Sequence, residues 1–533
     1  MSSKLLYLGS VTAKLGSLMH GFVPFPAERA AAYRAAGYWS GRPLASLLDD
    51  AAESWPDRVA VIDATTTLTY AQLDAAAEKA AAGLHALDIK PGDRVLLQLP
   101  NSAAFAVALF GLLRVGAIPV LCLPGHRAAE IGHLAAVSDA VGIVIPDATA
   151  GFDYPAMAAD LGLRRITIDD TAAGPPAPRC SPDPATPAVL LVSGGTTGLP
   201  KLIPRTHNDY VYNATASAQL CELTTEDVYL VALPAAHNFP LACPGLLGAM
   251  SMGATTVFGT DPSPEAAFAT IARHRVTVTA LVPALATLWA QACDWEPQKP
   301  TTLRLLQVGG AKLAAADARR IREVVTPGLQ QVFGMAEGLL CYTRPGDSAE
   351  VLDTTQGRPL CADDEVRVVD EDGAEASEGE LMVRGPYTIN GYYNAIEANE
   401  RSFSPDGFYR SGDRVRRLPN GYLEVTGRIK DVIVRGGENI AADELEAHLL
   451  SHPAIRSAAA VGLPDQYLGE RVCAAVVFNA PPLTLAELNS HLEAQGAATH
   501  VRVDQLAPLP ALPTTAVGKI DKKAIVRQVG HPA

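Results

Sequence analysis

The run Ser193-Gly194-Gly195-Thr196-Thr197-Gly198-Leu199-Pro200-Lys201 concentrates glycines, hydroxyls and one terminal lysine within nine residues. Its glycines let the backbone turn tightly enough for successive N–H groups to face a single anion. Ser193, Thr196 and Thr197 add donors and Lys201 a positive charge, so the run can cradle a polyphosphate. It is not a Walker loop, which requires Gly-x-x-x-x-Gly-Lys-Ser/Thr. It directly follows the apolar stretch 188–192, which reads as a buried strand. A flexible linker rarely sits in that position or ends in Pro-Lys, so a phosphate loop is the better reading.

The surrounding pattern supplies the frame for such a loop. Apolar runs at 59–63, 94–99 and 118–123 read as strands and alternate with alanine-rich helical stretches at 70–87 and 103–113. That alternation predicts parallel sheets covered by helices. Residues 175–187, rich in Pro, Ala and Asp, read as a surface loop. Beyond residue 363 the pattern changes. Strands at 365–369, 379–383 and 422–426 are separated by Asp372-Gly373, Asp406-Gly407 and Asn420-Gly421, which are hairpin signals. The last hundred residues read as a smaller α/β unit, with helices at 442–450, 485–493 and 521–528 and strands at 455–461 and 471–478. The expected fold is therefore α/β, with a large N-terminal domain over 1–427 made of parallel-rich sheets covered by helices plus a β-rich subdomain. A small, mobile C-terminal α/β domain over 428–533 follows, joined by a hinge at 428–431.

Bulk properties narrow the function. A chain of 533 residues with 48% hydrophobic and 19% charged residues has length for two to four structural units. Its net charge of −14 argues against a nucleic-acid partner, so an anionic nucleotide would have to meet positive charge gathered locally. The eight cysteines are scattered without CxxC spacing, as expected of reduced thiols in the cytoplasm. Residues 5–8 form a short apolar run, but Lys14 interrupts it and no cleavage site follows, so a signal peptide is not expected. The stretch 103–123 contains Arg114, Gly116 and Pro119 and reads as a buried helix and strand rather than a membrane span. A nicotinamide-dependent oxidoreductase would need a Gly-x-Gly-x-x-Gly turn after an early strand, and none is evident.

The run 193–201 resembles the phosphate-loop motif of the adenylate-forming superfamily, which includes acyl-CoA synthetases, peptide-synthetase adenylation domains and luciferases. Further motifs follow in the family's order. They are Leu68-Thr69-Tyr70-Ala71-Gln72-Leu73, Arg114-Val115-Gly116-Ala117-Ile118-Pro119-Val120 and Val332-Phe333-Gly334-Met335-Ala336-Glu337, then Gly379-Glu380-Leu381 through Gly391-Tyr392-Tyr393. Tyr409-Arg410-Ser411-Gly412-Asp413, Gly427-Arg428-Ile429-Lys430-Asp431 and Pro513-Thr514-Thr515-Ala516-Val517-Gly518-Lys519 complete the series.

The resemblance implies ATP and Mg²⁺ as cofactors. It gives nucleotide contacts to the loop (Ser193, Gly194, Gly195, Thr196, Thr197, Gly198, Lys201), to Gly310, and to Val332, Phe333, Gly334, Met335 and Ala336. It implies metal contacts at Glu337 and Thr196, and ribose contacts at Asp413 and Arg428. Lys519 would bridge the substrate carboxylate and the α-phosphate, with His237 also in the catalytic set and Lys430 at the hinge. The substrate carboxylate is already ionised at neutral pH, so the first step needs alignment and charge neutralisation rather than a base.

The segment Ala236-His237-Asn238-Phe239-Pro240-Leu241-Ala242-Cys243-Pro244-Gly245 resembles that of stand-alone aryl-acid ligases serving siderophore pathways. It holds no acidic residue, so the ammonium group of a free amino acid would be buried without a partner. By the same resemblance Asn238 would bind an ortho-hydroxyl and Phe239 would pack on the ring, with Gly309, Gly310, Val332 and Leu340 shaping the pocket. Relatives that take 2,3-dihydroxybenzoate tend to have Ser and Val where this chain has Cys243 and Leu340. The weak hydrogen bonding of a thiol and the extra methylene of leucine both disfavour a second hydroxyl, so salicylate is the expected acid. The chain ends soon after Lys519, so the expected acceptor is the phosphopantetheine thiol of a separate aryl carrier protein, with free coenzyme A as the alternative. Activation of 2,3-dihydroxybenzoate, and a catalytically silent homologue acting as a binding protein, are the competing readings.

Overall fold

The computed structural model describes residues 19–147, 151–168, 179–193, 200–429, 432–435, 438–465, 468–495, 501–515 and 518–530. Two helix-covered sheets form the large part. In the first, strands Gly142–Val144, Arg94–Leu97, Ile118–Leu121 and Pro187–Val192 run parallel, and Leu202–Thr206 closes the edge antiparallel to Pro187–Val192. The second has nine strands. Its parallel centre runs Leu329–Met335, Leu305–Gly309, Val278–Leu281, Val228–Val231, Thr255–Phe258 and Val59–Ile62, with antiparallel strands added at both edges.

The covering helices follow from local sequence. Helix Tyr70–Ala86 begins with a capping box in which Thr69 Oγ1 accepts from the Gln72 N–H and Gln72 Oε1 accepts from the Thr69 N–H. It buries Leu73, Ala77, Ala80, Ala81 and Leu84. Helix Ala103–Arg114 packs beside it and is buried all round, as its nearly unbroken apolar sequence demands. Small residues let the two helices approach closely. A Cβ added at Gly111 would lie 2.9 Å from that of Ala80. The stretch that could have passed for a membrane span is thus a core helix followed by a core strand. Among the described residues no helix is long and apolar enough to cross a membrane.

Strands Glu365–Val369, Glu378–Arg384, Tyr409–Arg417 and Leu423–Arg428 form an antiparallel sheet. Gly373, Gly407 and Gly421 take φ values of 80°, 84° and 80°, the left-handed conformation that Asp-Gly and Asn-Gly turns demand. After Arg428 a separate sheet begins at Val432, built from Val432–Arg435, Glu438–Ala441, Ile455–Asp465, Gly469–Phe478 and Gln505–Pro508. Helices Ala442–Leu450, Leu485–Ala494 and Lys522–Val529 accompany it, the last capped by Asp521, whose Oδ1 accepts from the Ala524 N–H.

One buried ion pair ties several of these elements together. Arg205, in the edge strand, and Asp209, in the first turn of helix His207–Leu220, are both fully buried, with Nε donating to Oδ1 at 2.7 Å. The other guanidinium nitrogens donate to Ala336 O at 3.0 Å, Asn213 Oδ1 at 3.1 Å and Tyr387 O at 3.3 Å. Asp209 Oδ2 accepts from the Thr206 N–H and hydroxyl, both at 2.6 Å. Removing one partner strands a charge, which costs about 3–5 kcal/mol, whereas replacing both with apolar groups does not. Arg205→Met should therefore lower the unfolding free energy by about that amount in urea titration. The double change Arg205→Met with Asp209→Leu should recover most of it; a double variant as unstable as the single one would show that the pair is not coupled.

Candidate active site

The phosphate-loop run is flanked by two paired strands. Strands Pro187–Val192 and Leu202–Thr206 pair regularly from Val189 and Arg205 to Val192 and Leu202. Beyond them the Ser193 N–H donates to Lys201 O and the Lys201 N–H to Ser193 Oγ, both at 2.9 Å. Gly194, Gly195, Thr196, Thr197, Gly198 and Leu199 lie outside the described residues, as does Lys430. Lys201 Nζ stands 4.3 Å from the ring centroid of Tyr392, a cation–π contact. The Tyr392 hydroxyl donates to Glu337 Oε1 at 2.8 Å and lies 3.1 Å from the Tyr409 hydroxyl. Tyr392 thereby connects the basic end of the loop to the acidic residue assigned to the metal.

Glu337 sits in the tight turn between strands Leu329–Met335 and Gly338–Tyr342, along which Val332, Phe333, Gly334, Met335 and Ala336 lead up to it. Only glycine fits at 338, where φ is +131° and a Cβ would lie 2.4 Å from Thr388 Cα. Among the described residues no group of three or more His, Cys, Asp or Glu could hold a metal ion. A lone carboxylate fits Mg²⁺, which keeps several waters and is otherwise bound through substrate phosphates.

Asp413 and Arg428 face each other across neighbouring strands, with Arg428 Nε donating to Asp413 Oδ1 at 2.7 Å. Burial pushes the Asp413 carboxyl up against the opposing pull of Arg428. Lys519 arrives from the C-terminal part on a hairpin closed by the Thr514–Ile520 bridge. Its carbonyl accepts from the Thr515 N–H at 2.7 Å, and its own N–H donates to Thr515 Oγ1 at 3.2 Å. The side chain crosses to the large part, where a Cβ at Gly310 would lie 3.4 Å from Lys519 Cε. Burial and the nearby Arg428 lower the pKa of its ammonium, while Asp413 and Glu337 oppose that shift. Residues from distant motifs therefore converge on one place.

The aryl-pocket candidates also come together. Gly309 ends its strand opposite Val332, and a Cβ there would be 2.6 Å from Val332 O and 3.2 Å from the Phe239 ring. The short helix Asn238–Ala242, which periodicity could not reveal, is capped by His237, whose Nδ1 accepts from the Phe239 N–H at 3.2 Å. The ring proton is thereby placed on Nε2. Burial, helped by the Lys519 charge, lowers the His237 pKa to about 4. Cys243 is buried and its thiol is pushed up to about 12, so it is no nucleophile. Leu340 is buried, and its N–H donates to the Tyr387 hydroxyl at 3.1 Å. Sequence reasoning gave no role to Tyr210, Asn213, Arg205, Tyr392 or Tyr409. The last two lie within quoted motifs, but their spacing alone does not say what their hydroxyls meet.

Residues 48–393 match the AMP-binding enzyme family and residues 444–519 its C-terminal domain. The chain belongs to this family. It is 65% identical to the salicyl-AMP ligase / salicyl-S-ArCP synthetase of Mycobacterium tuberculosis, over 96% of this chain and 95% of that protein. It is 44% identical to the 2,3-dihydroxybenzoate-AMP ligase of Bacillus subtilis, over 95% and 97%. Among solved family structures, apo MbtA of Mycobacterium smegmatis is 65% identical and superposes with a TM-score of 0.73, over 97% of this chain and 100% of that one. The o-succinylbenzoate CoA synthetase of Bacillus subtilis, in complex with its acyl-adenylate, is 27% identical with a TM-score of 0.80, over 91% and 98%.

The depressed His237 pKa has a consequence for stability. The unfolded chain takes up a proton near pH 6.5, whereas the folded site refuses it until about pH 4. Stability carried by neutral His237 is present above 6.5 and is lost as pH falls through that window. His237→Asn, which keeps a capping acceptor, should reduce the loss of unfolding free energy between pH 7 and 5 by roughly 1–2 kcal/mol in denaturant titrations. An unchanged pH dependence would place the titration elsewhere.

Proposed function

We propose that this chain activates salicylate with ATP, releasing pyrophosphate, and passes the acyl group to the phosphopantetheine thiol of a separate aryl carrier protein. The observation that carries this reading is Lys519. It lies across Gly310 with Glu337, Asp413 and Arg428 acting on its charge, and the segment that holds the aryl-acid candidates, residues 236–245, has no carboxylate to receive an ammonium.

In the first step a carboxylate oxygen of the acid attacks the α-phosphorus, and the bond to pyrophosphate breaks. Lys519 neutralises charge between the two reactants, Lys201 and the loop amides hold the departing phosphates, and Asp413 with Arg428 fixes the ribose. Glu337 and Thr196 would hold Mg²⁺, which would supply charge neutralisation on the phosphates. His237, neutral with its proton on Nε2, offers a donor near Lys519 without adding positive charge. In the second step a thiol sulfur attacks the acyl carbonyl and AMP leaves. Residues 428–533 move as a unit about Lys430 between the steps, a reading supported by how few residues separate the sheet ending at Arg428 from the one beginning at Val432. The names of both close relatives support an aryl acid as substrate, and a cytoplasmic setting goes with the use of ATP and a free thiol.

Acid-dependent ATP–pyrophosphate exchange tests the first step. Across salicylate, 2,3-dihydroxybenzoate, benzoate, 4-hydroxybenzoate, a fatty acid and amino acids, exchange should be strongest with salicylate; a different preferred acid would discard the pocket reading. Lys519→Ala should reduce exchange about a hundredfold or more with ATP binding retained, and undiminished exchange would remove Lys519 from the mechanism. Cys243→Ser combined with Leu340→Val should shift the ratio of kcat/KM toward 2,3-dihydroxybenzoate by about tenfold. A fixed ratio would show that these positions do not read the ring.

A further inference from the structure

The polarity of the aryl pocket is set one layer behind it. Asn238 is buried, and which end of its amide faces the substrate decides which ortho group the site accepts. The Tyr210 hydroxyl lies 2.9 Å from Asn238 Oδ1, and Tyr210 is fully buried. Among the described residues that hydroxyl has no other hydrogen-bond partner. Its proton must therefore go to Asn238. Turning the amide over would place Nδ2 against the hydroxyl and leave the phenolic proton buried without an acceptor.

The other end of the amide agrees. Asn238 Nδ2 donates to Cys243 Sγ at 3.5 Å, and the thiol proton is directed to Asn238 O, also at 3.5 Å. Asn213 Nδ2 approaches the same sulfur at 3.9 Å while donating to Ala242 O at 2.7 Å. The sulfur is thus an acceptor for both amides. Asn238 Oδ1 is engaged by Tyr210, and one N–H of Nδ2 remains unused by any described residue.

We propose that Tyr210 is a specificity-determining positioning residue: by fixing the Asn238 amide with its donor toward the ligand, it selects an ortho substituent that accepts a hydrogen bond. The proposal rests on the reading of this pocket as the aryl-acid site. Salicylate meets the demand, because its hydroxyl donates its proton to the neighbouring carboxylate and keeps lone pairs for Asn238. Anthranilate does not. Its amine also donates to the carboxylate, but it turns a second N–H toward Asn238, and its lone pair is conjugated into the ring. Donor then faces donor, which a hydrogen-bonding site rejects strongly.

The test is kcat/KM for salicylate, anthranilate and benzoate in ATP–pyrophosphate exchange, for the wild-type chain and for Tyr210→Phe. The wild type should use salicylate best and anthranilate no better than benzoate. In Tyr210→Phe the amide is free to turn, so the salicylate-to-anthranilate ratio should fall about tenfold, with the value for anthranilate itself rising. Loss of packing alone lowers both acids in proportion and leaves the ratio unchanged, and that result would overturn the proposal. A wild type that uses anthranilate as well as salicylate would overturn it too, without reliance on the variant. A wild type inactive with salicylate but active with another acid is a separate result, which overturns the substrate reading and the inference with it.

Discussion

The fully buried ion pair between Arg205 and Asp209 is the constraint on which much of the site depends. Arg205 is held on the strand that follows the phosphate-loop run, and Asp209 on the helix after it. The guanidinium then grips Ala336 O, immediately before Glu337, and Tyr387 O, while its contact with Asn213 reaches Ala242 and Cys243. A single planar fork thus fixes the turn that carries Glu337 and the segment around Ala242 and Cys243 relative to each other. Lysine offers a point charge with no such fork and could not make these contacts together.

The same economy governs charge. The chain carries a net charge of −14, yet the reaction assigned to it brings together a carboxylate and a polyphosphate. The structure answers by gathering Lys201, Arg428 and Lys519 around two acidic residues, each of which is held by a neighbour. Glu337 is held by the Tyr392 hydroxyl, and Asp413 by Arg428. His237 contributes a proton without a charge, because burial and Lys519 both oppose its protonation. Desolvation thus keeps the cationic count near the acid pocket low while a donor remains in place.

Specificity is a matter of layers rather than of lining residues alone. Cys243 and Asn238 occupy the positions expected to read the acid, and each is met by a further buried side chain. Tyr210 and Asn213 stand behind them, and Tyr387 holds the backbone of Leu340 in the same way. Such groups are invisible to a search for chemically suggestive residues, because a fully buried tyrosine reads in sequence as an ordinary core residue.

The sequence by itself determined the elements and the cast. Apolar periodicity and the Asp-Gly and Asn-Gly turns marked the helices, strands and hairpins read from them to within a few residues, because those signals act through near neighbours. Motif order named Glu337, Asp413, Arg428 and Lys519. Only the tertiary structure decided which of these meet, and how. It is long-range packing that carries Lys519 over Gly310, seats Lys201 on Tyr392, sends Tyr392 to Glu337 and turns the Asn238 amide under Tyr210. Those contacts join residues remote in the chain through hydrogen-bond direction and burial, neither of which is written in residue type or spacing.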